Sequence, residues 1–263
     1  MLNSLYILMI IDNDLIELLT LTAKEAGEEI MDIFNSDFKI RSKPDNTPVT
    51  LADEEAEALI RATLLKYYPT IPFVGEESYK GENDQTSKWD TFWLVDALDG
   101  TKEFVANRKD FTVNIALIHK KKPVAGVVYA PAQNLLYTGY ATEAYMQKNE
   151  NKKHKIHTRP PKKSGLTLVK SRSHRSNDYK HLNNLRIKET VILGSSLKFC
   201  MVASGEADIY LRTGLTSEWD TAAGHAILKA AGGSMTQIDG SPFVYGKDNI
   251  LNPPFIASGR KVQ

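Results

Sequence analysis

The sequence predicts a two-part, layered α/β sandwich, an α+β half followed by an α/β half. Three observations carry this. Two segments near the N-terminus have apolar residues at helical spacing, residues 111–147 have the make-up of an antiparallel meander, and the C-terminal part alternates strand-like with helix-like runs. A basic, proline-containing segment is the best candidate for the boundary, which gives halves of 1–158 and 159–263.

Taken in order, "MLNSLYILMIID" is apolar but short, has no basic stretch before it and no small-residue cleavage site, and runs directly into Asp12 and Asp14. No other run approaches the roughly 20 apolar residues that span a bilayer. The expectation is a cytoplasmic protein with an apolar N-terminal extension, touching a membrane at most peripherally. Residues 14–35 then read as a helix through Leu15, Leu18, Leu19, Thr22 and Ala26, and 52–67 as another through Ala56, Leu59, Ile60 and Leu64. In "TPVTLADEEAE", Thr50 stands three before Asp53, the spacing of a capping box, and Glu54 and Glu55 suit a helix N-terminus. "IPFVGEES" and "TFWLVD" read as short buried strands. The meander "FTVNIALIHKKKPVAGVVYAPAQNLLYTGYATEAYMQ" is rich in Val, Ile and Tyr, with turns near Lys121–Lys122, Pro131–Gln133 and Thr142. The segment 147–165 reads as a solvated linker, and its His154 and His157, without a nearby acid or cysteine cluster, as loop residues. Beyond it come strand "LTLVKSRSH", a helix near 176–183, strand "ETVIL", helix "SSLKFCMVAS", strand "ADIYL" and helix "DTAAGHAILKAAG".

Composition narrows the function. Hydrophobic residues at 42% and charged residues at 25% describe a globular chain and exclude general disorder. A net charge of +1 gives no basic surface for a nucleic-acid polymer, so an anionic ligand needs a local site. Cys200 is the only cysteine, which excludes an intramolecular disulfide and points to a reducing compartment. Its apolar setting makes it a small buried hydrophobe rather than a catalytic thiol.

The chemistry gathers in "VDALDGTKEF". Asp96 ends an apolar strand, and ligand sites of open α/β sheets favour that edge. A turn at Ala97–Leu98 would return Asp99 to the same side with a backbone carbonyl between the acids, an oxygen-only set that suits Mg²⁺. Gly100 allows close approach of an anion, and a helix starting at Thr101 would add free N–H groups. The plain alternative is an aspartate-rich turn with Asp99 as a helix N-cap. "FVGEESY" sets Glu76 and Glu77 after another short strand, and "SEWDTAAGHAI" sets Asp220 at a helix start, where an N-cap role would also serve.

Together, "GEES", "DALDGTKEF" and "WDTAAGHAI" resemble the ordered signature of the inositol monophosphatase-like, Mg²⁺-dependent and lithium-sensitive phosphatases, over residues 14–258. More narrowly, "WLVDALDGTKEF", "FTVNIALI", "GVVYAP", "SRSH" and "GSSLKFC" look like the bacterial 3'(2'),5'-bisphosphate nucleotidases. The inositol phosphatases typically have Thr-Asn where this chain has Lys102–Glu103, and lack the run Ser196–Lys198.

The resemblance implies the αβαβα sandwich of the inositol monophosphatase and sugar phosphatase type. It implies two or three Mg²⁺ ions, held by Glu76, Asp96, the Leu98 carbonyl, Asp99 and Asp220, with Asp53 as an outer acid. Glu76, Thr101 and Asp53 form the implied catalytic set, Thr101 orienting the attacking water. The amides of Gly100 and Thr101 hold the phosphate with Lys102 beside them, Asp220 also faces the substrate, and Ser195, Ser196 and Lys198 meet its nucleotide side. The expected substrate is adenosine 3',5'-bisphosphate (PAP), hydrolysed to AMP and phosphate in support of sulfate assimilation. Inositol phosphate or a sugar bisphosphate is the alternative substrate. A nucleotide-binding protein without turnover is a further alternative, against which every expected acid and Thr101 are present. One departure stands out: Ala97 replaces the usual proline, which leaves the metal loop less stiff.

Overall fold

The computed structural model describes residues 11–36, 41–42, 48–81, 86–149, 151–172, 182 and 185–260. The chain opens with helix α1 (Asn13–Phe34), whose first turn is capped by Asp12 accepting from the Leu15 amide at 2.9 Å. Two short strands, β1 (Arg41–Ser42) and β2 (Pro48–Val49), pair antiparallel ahead of α2 (Leu51–Tyr67). The Thr50–Asp53 capping box opens α2, as the spacing predicts.

Seven strands follow in one sheet, in spatial order β3 (Phe73–Gly75), β4 (Thr91–Asp99), β5 (Thr112–His119), β6 (Lys122–Ala130), β7 (Leu135–Tyr140), β8 (Glu143–Lys148) and β9 (His154–Ile156). Only β3 and β4 run parallel; the rest is the expected meander. The meander reaches further than its sequence pattern. β9 lies inside the basic segment 147–165 and pairs with β8, so that segment is no bare linker. His154 begins this edge strand, and both His154 and His157 are exposed. Charged side chains on a short edge strand also discourage pairing with another chain.

Successive side chains of a strand point to opposite faces, and both faces of this sheet are buried. Trp93, Val95, Val113, Ile115 and Leu117 pack with α1 and α2. Phe92, Leu94, Ala116 and Ile118 face a central layer made by α4 (Leu197–Ala203) and α5 (Glu218–Ala230). On the far side of that layer lies a second sheet of β10 (Leu166–Ser171), β11 (Ile187–Leu193), β12 (Ile209–Arg212), β13 (Ser234–Gln237) and β14 (Phe255–Ser258), in the order β11-β10-β12-β14-β13. Its β10, β11 and β12 are parallel, as strand–helix alternation predicts, while β14 runs antiparallel to β12 and β13. The sequence reading missed β13 and β14. The expected helix near 176–183 falls almost wholly outside the described residues, as does the apolar extension 1–10. With the short helix α3 (Thr101–Val105), two mixed sheets and five helices among the described residues form the predicted layered sandwich. No helix among them is long and apolar enough to cross a membrane.

The first sheet packs closely on the central layer because small residues meet between them. Gly126 of β6 lies against α5, where an added Cβ would stand 2.6 Å from the Ala223 carbonyl oxygen and 2.8 Å from Ala226 Cβ. Neither backbone can yield easily, so Gly126→Ala is expected to cost about 2–3 kcal/mol. Chemical denaturation would show this as a lower midpoint at unchanged slope. Cys200 is fully buried in the same layer, where burial pushes its thiol pKa up, as expected of a packing residue.

Candidate active site

The site begins with a fault in β4. Asp96 pairs with Asn114 and Asp99 with Thr112, so the strand carries one more residue than β5 between these pairs. In a regular strand, residues three apart face opposite ways. The bulge at Ala97–Leu98 restores the phase and brings Asp96 and Asp99 to the same face. The sequence reading placed a turn here; the strand instead continues through a bulge to Asp99. Ala97 and Leu98, both 2% exposed, fill the core on the opposite side. The Asp96 carboxylate accepts from the Leu98 amide at 3.1 Å, which holds the bulge closed.

Gly100 follows with φ 97°, in the left-handed region, and caps α3. A Cβ there would also sit 3.2 Å from the Asp110 carbonyl oxygen. Glycine therefore serves both conformation and space. The N-cap of α3 is Gly100, not Asp99, whose carboxylate faces the site.

Two aspartates arrive from helix starts by one device. Asp53 and Asp220 each occupy the third position of their helix, within a capping box. One oxygen of Asp53 accepts from the Thr50 amide at 2.8 Å and the Thr50 hydroxyl at 2.7 Å; its other oxygen accepts from the Thr101 hydroxyl at 3.1 Å. Asp220 Oδ2 accepts from the Ser217 amide at 2.8 Å. Asp220 is thus not an N-cap; that role belongs to Ser217. In both cases the cap locks the carboxylate's direction and leaves the second oxygen to the site.

Ligand oxygens of Glu76, Asp96 and Asp220 converge within 4.8 Å of one another. Asp99 lies outside that tight triad but lines the adjoining cavity with Glu76 and Asp220. Burial pushes the carboxyl of Asp96 well above the usual range, and Glu76, Asp99 and Asp220 push it further. Asp220 is raised likewise by burial, then by Asp99 and Glu76. Asp99 is raised by burial, with Lys198 acting in the opposite sense. Carboxylates crowded this way cannot all ionise without a compensating cation. An all-oxygen donor set is the kind that Mg²⁺ takes. The residues present therefore fit such an ion.

The cavity, about 230 Å³, also takes in Gly100, Thr101, Lys198 and Arg212. Ser195 adopts φ 48°, rare for a residue with a side chain, and three contacts hold it there. Thr112 Oγ1 lies 3.2 Å from its hydroxyl, the buried Lys198 ammonium donates to its carbonyl, and the preceding Gly194 amide donates to Asp110 Oδ2 at 2.7 Å. Burial pulls the Lys198 pKa down to about 8 against the pull of Asp99. Ser196 donates to the Asp220 carbonyl at 3.0 Å and accepts from Asn114 Nδ2 at 3.0 Å, joining β5, α4 and α5. Lys102 lines the cavity from an exposed position.

Sequence reasoning missed Asn114, Asp110 and Arg212. Asn114 is a buried amide between apolar neighbours in its strand and shares its face with Asp96 and Asp99. Arg212 ends β12 as Asp96 nearly ends β4, and the strand-end argument used for Asp96 applies to it equally. It donates to the carbonyls of Gly214 at 3.2 Å and Leu215 at 2.9 Å, which shapes the loop leading to Ser217.

A model of the inositol monophosphatase family matches residues 12–261. The chain is similar to a protein named 3'(2'),5'-bisphosphate nucleotidase CysQ from Shigella flexneri, 43% identical over 244 residues, covering 90% of this chain and 96% of the relative. Its namesake from Escherichia coli strain K12 is 41% identical over 242 residues, with coverage of 90% and 96%. Among solved structures, CysQ from Bacteroides thetaiotaomicron is 34% identical with a TM-score of 0.82, covering 96% of this chain and 99% of that one. An inositol monophosphatase from Anabaena (Nostoc) sp. PCC 7120 is 26% identical with a TM-score of 0.73, covering 93% and 90%.

Proposed function

The chain belongs to the inositol monophosphatase family, and on that footing we propose that it is a Mg²⁺-dependent phosphomonoesterase that hydrolyses PAP to AMP and phosphate. The observation that carries this is one cavity in which the half-buried carboxylates of Glu76, Asp99 and Asp220 meet the cationic side chains of Lys198 and Arg212. A bisphosphate has two anionic ends; one can lie against the cation-filled acids and the other against the basic side. The names of the Shigella and Escherichia relatives support the nucleotide as the body between those ends. In this reading the protein works in the cytoplasm, in sulfate assimilation.

Glu76, Asp96, the Leu98 carbonyl, Asp99 and Asp220 would hold two or three Mg²⁺ ions. When bound, they supply Lewis-acid neutralisation of the phosphate and lower the pKa of water. The chain's own groups supply position and proton handling. Thr101 donates to Asp53 Oδ1 at 3.1 Å, which leaves its lone pairs to accept a hydrogen bond from the attacking water. The Leu98 carbonyl, 3.3 Å from the same hydroxyl, is its alternative acceptor. Burial raises the Asp53 pKa, so its carboxylate is a better final acceptor for the proton passed through Thr101 Oγ1. Water attacks phosphorus in line while the bond to the ribose oxygen breaks; the water's proton goes to Asp53, and the departing oxygen takes its proton from solvent water to become the hydroxyl of AMP. The amides of Gly100 and Thr101, at the start of α3, would hold the phosphate.

The direct test is phosphate release from PAP. It is expected with Mg²⁺, to be abolished by a chelator, and to return on adding Mg²⁺ back. Release that survives full chelation would remove the metal from the account.

A further inference from the structure

We propose that Glu57 is a positioning residue for Glu76. From α2, its carboxylate clamps the two backbone amides that follow Glu76 and so sets the direction in which Glu76 enters the acid cluster. The inference rests on the reading of Glu76 as a metal ligand.

The end of β3 needs such a clamp. The strand has three residues, lies at the edge of its sheet, and has β4 as its one neighbour. Its last backbone bond toward β4 runs from the Glu76 amide to the Val95 carbonyl at 3.2 Å, after which the chain leaves the sheet. There Glu57 takes over: Oε2 accepts from the Glu77 amide at 2.7 Å and Oε1 from the Ser78 amide at 2.9 Å. Both carboxylate oxygens are thus spent on consecutive amides. That two-point attachment restrains rotation as well as distance.

The surroundings are shaped for it. Glu57 stands one helical turn after Asp53 on the same buried face of α2 and is itself 3% exposed. A Cβ on Gly75 would lie 2.5 Å from Glu57 Oε2, so the glycine before Glu76 is what lets the carboxylate lie over the strand end. None of the ion pairs among the described residues includes Glu57. A further negative charge beside a cluster of acids is unfavourable for packing alone. Charge-assisted bonds to two amides, and a ligand held in place by them, account for it.

The test uses metal-stripped wild-type protein, Glu57→Gln and Glu57→Asp, titrated with Mg²⁺ by calorimetry, together with KM for PAP at saturating Mg²⁺. Glutamine turns an N–H₂ group toward one of the two amides. Aspartate keeps the charge but withdraws it by about one C–C bond, ~1.5 Å. Both variants are expected to weaken Mg²⁺ binding about 10- to 100-fold while KM for PAP stays unchanged. Variants that lose thermal stability yet bind Mg²⁺ as tightly as wild type would overturn the proposal and leave Glu57 a packing residue. Wild-type protein that binds no Mg²⁺ would overturn the metal reading and this proposal with it. If neither variant folds, hydrogen exchange of the Glu77 and Ser78 amides in metal-free wild type decides. Protection comparable to the β4 ladder supports the clamp, and free exchange overturns it.

Discussion

Replacing Asp96 by asparagine is expected to leave the protein folded and to lower kcat by about a thousandfold, roughly 4 kcal/mol at the transition state. The amide matches the carboxylate in shape, and its oxygen can keep the bond from the Leu98 amide that closes the bulge. It cannot supply the charge that cations held at Glu76, Asp99 and Asp220 would require. The stability effect has the opposite sign. Burial and the neighbouring acids raise the Asp96 pKa, so without metal its ionisation destabilises the fold as pH rises through that value. The metal-free variant should therefore be at least as stable as wild type at neutral pH, an advantage that disappears in acid, where the aspartate is protonated. Added Mg²⁺ should raise the melting temperature of wild type well above that of the variant. Near-wild-type turnover of Asp96→Asn at saturating Mg²⁺ would remove Asp96 from the site.

Much of this site was legible because its residues stand at the ends of strongly patterned elements. Asp96 closes an unbroken apolar run, and Asp53 and Asp220 open helices whose apolar spacing is plain. The bulge was not legible, since an extra residue in β4 exists only relative to β5. Nothing local in "ADEEAE" sets Glu57 apart from Glu54 and Glu55; its burial and its contact with a distant loop do. Asn114 and Asp110 act through pairings across long stretches of chain, which no local pattern records. Strand β13, with the sequence "SMTQ", lacks the apolar alternation that marks the meander, and its pairing with β14 supplies what the pattern omits. Ser195 gave no hint of its left-handed backbone, because two tertiary contacts, with the local bond from Lys198, impose it against local preference.

The family's chemistry needs the acids, but the proposed preference for a bisphosphorylated nucleotide rests on Lys198, Arg212 and Ser195, which line the same cavity. A lysine with its pKa near 8 gains charge most readily when an anion arrives beside it, so the second phosphate and the Lys198 proton should favour each other. Inositol monophosphate offers no second anion to that region, and a sugar bisphosphate offers one without the base. The measurement that tests this most directly is kcat/KM at saturating Mg²⁺ for PAP, inositol monophosphate and fructose bisphosphate, side by side. PAP should exceed inositol monophosphate by at least about a hundredfold, roughly 2.7 kcal/mol at the transition state, with fructose bisphosphate also below PAP. Comparable values for PAP and inositol monophosphate would contradict the nucleotide reading, while leaving a metal-dependent phosphatase in place.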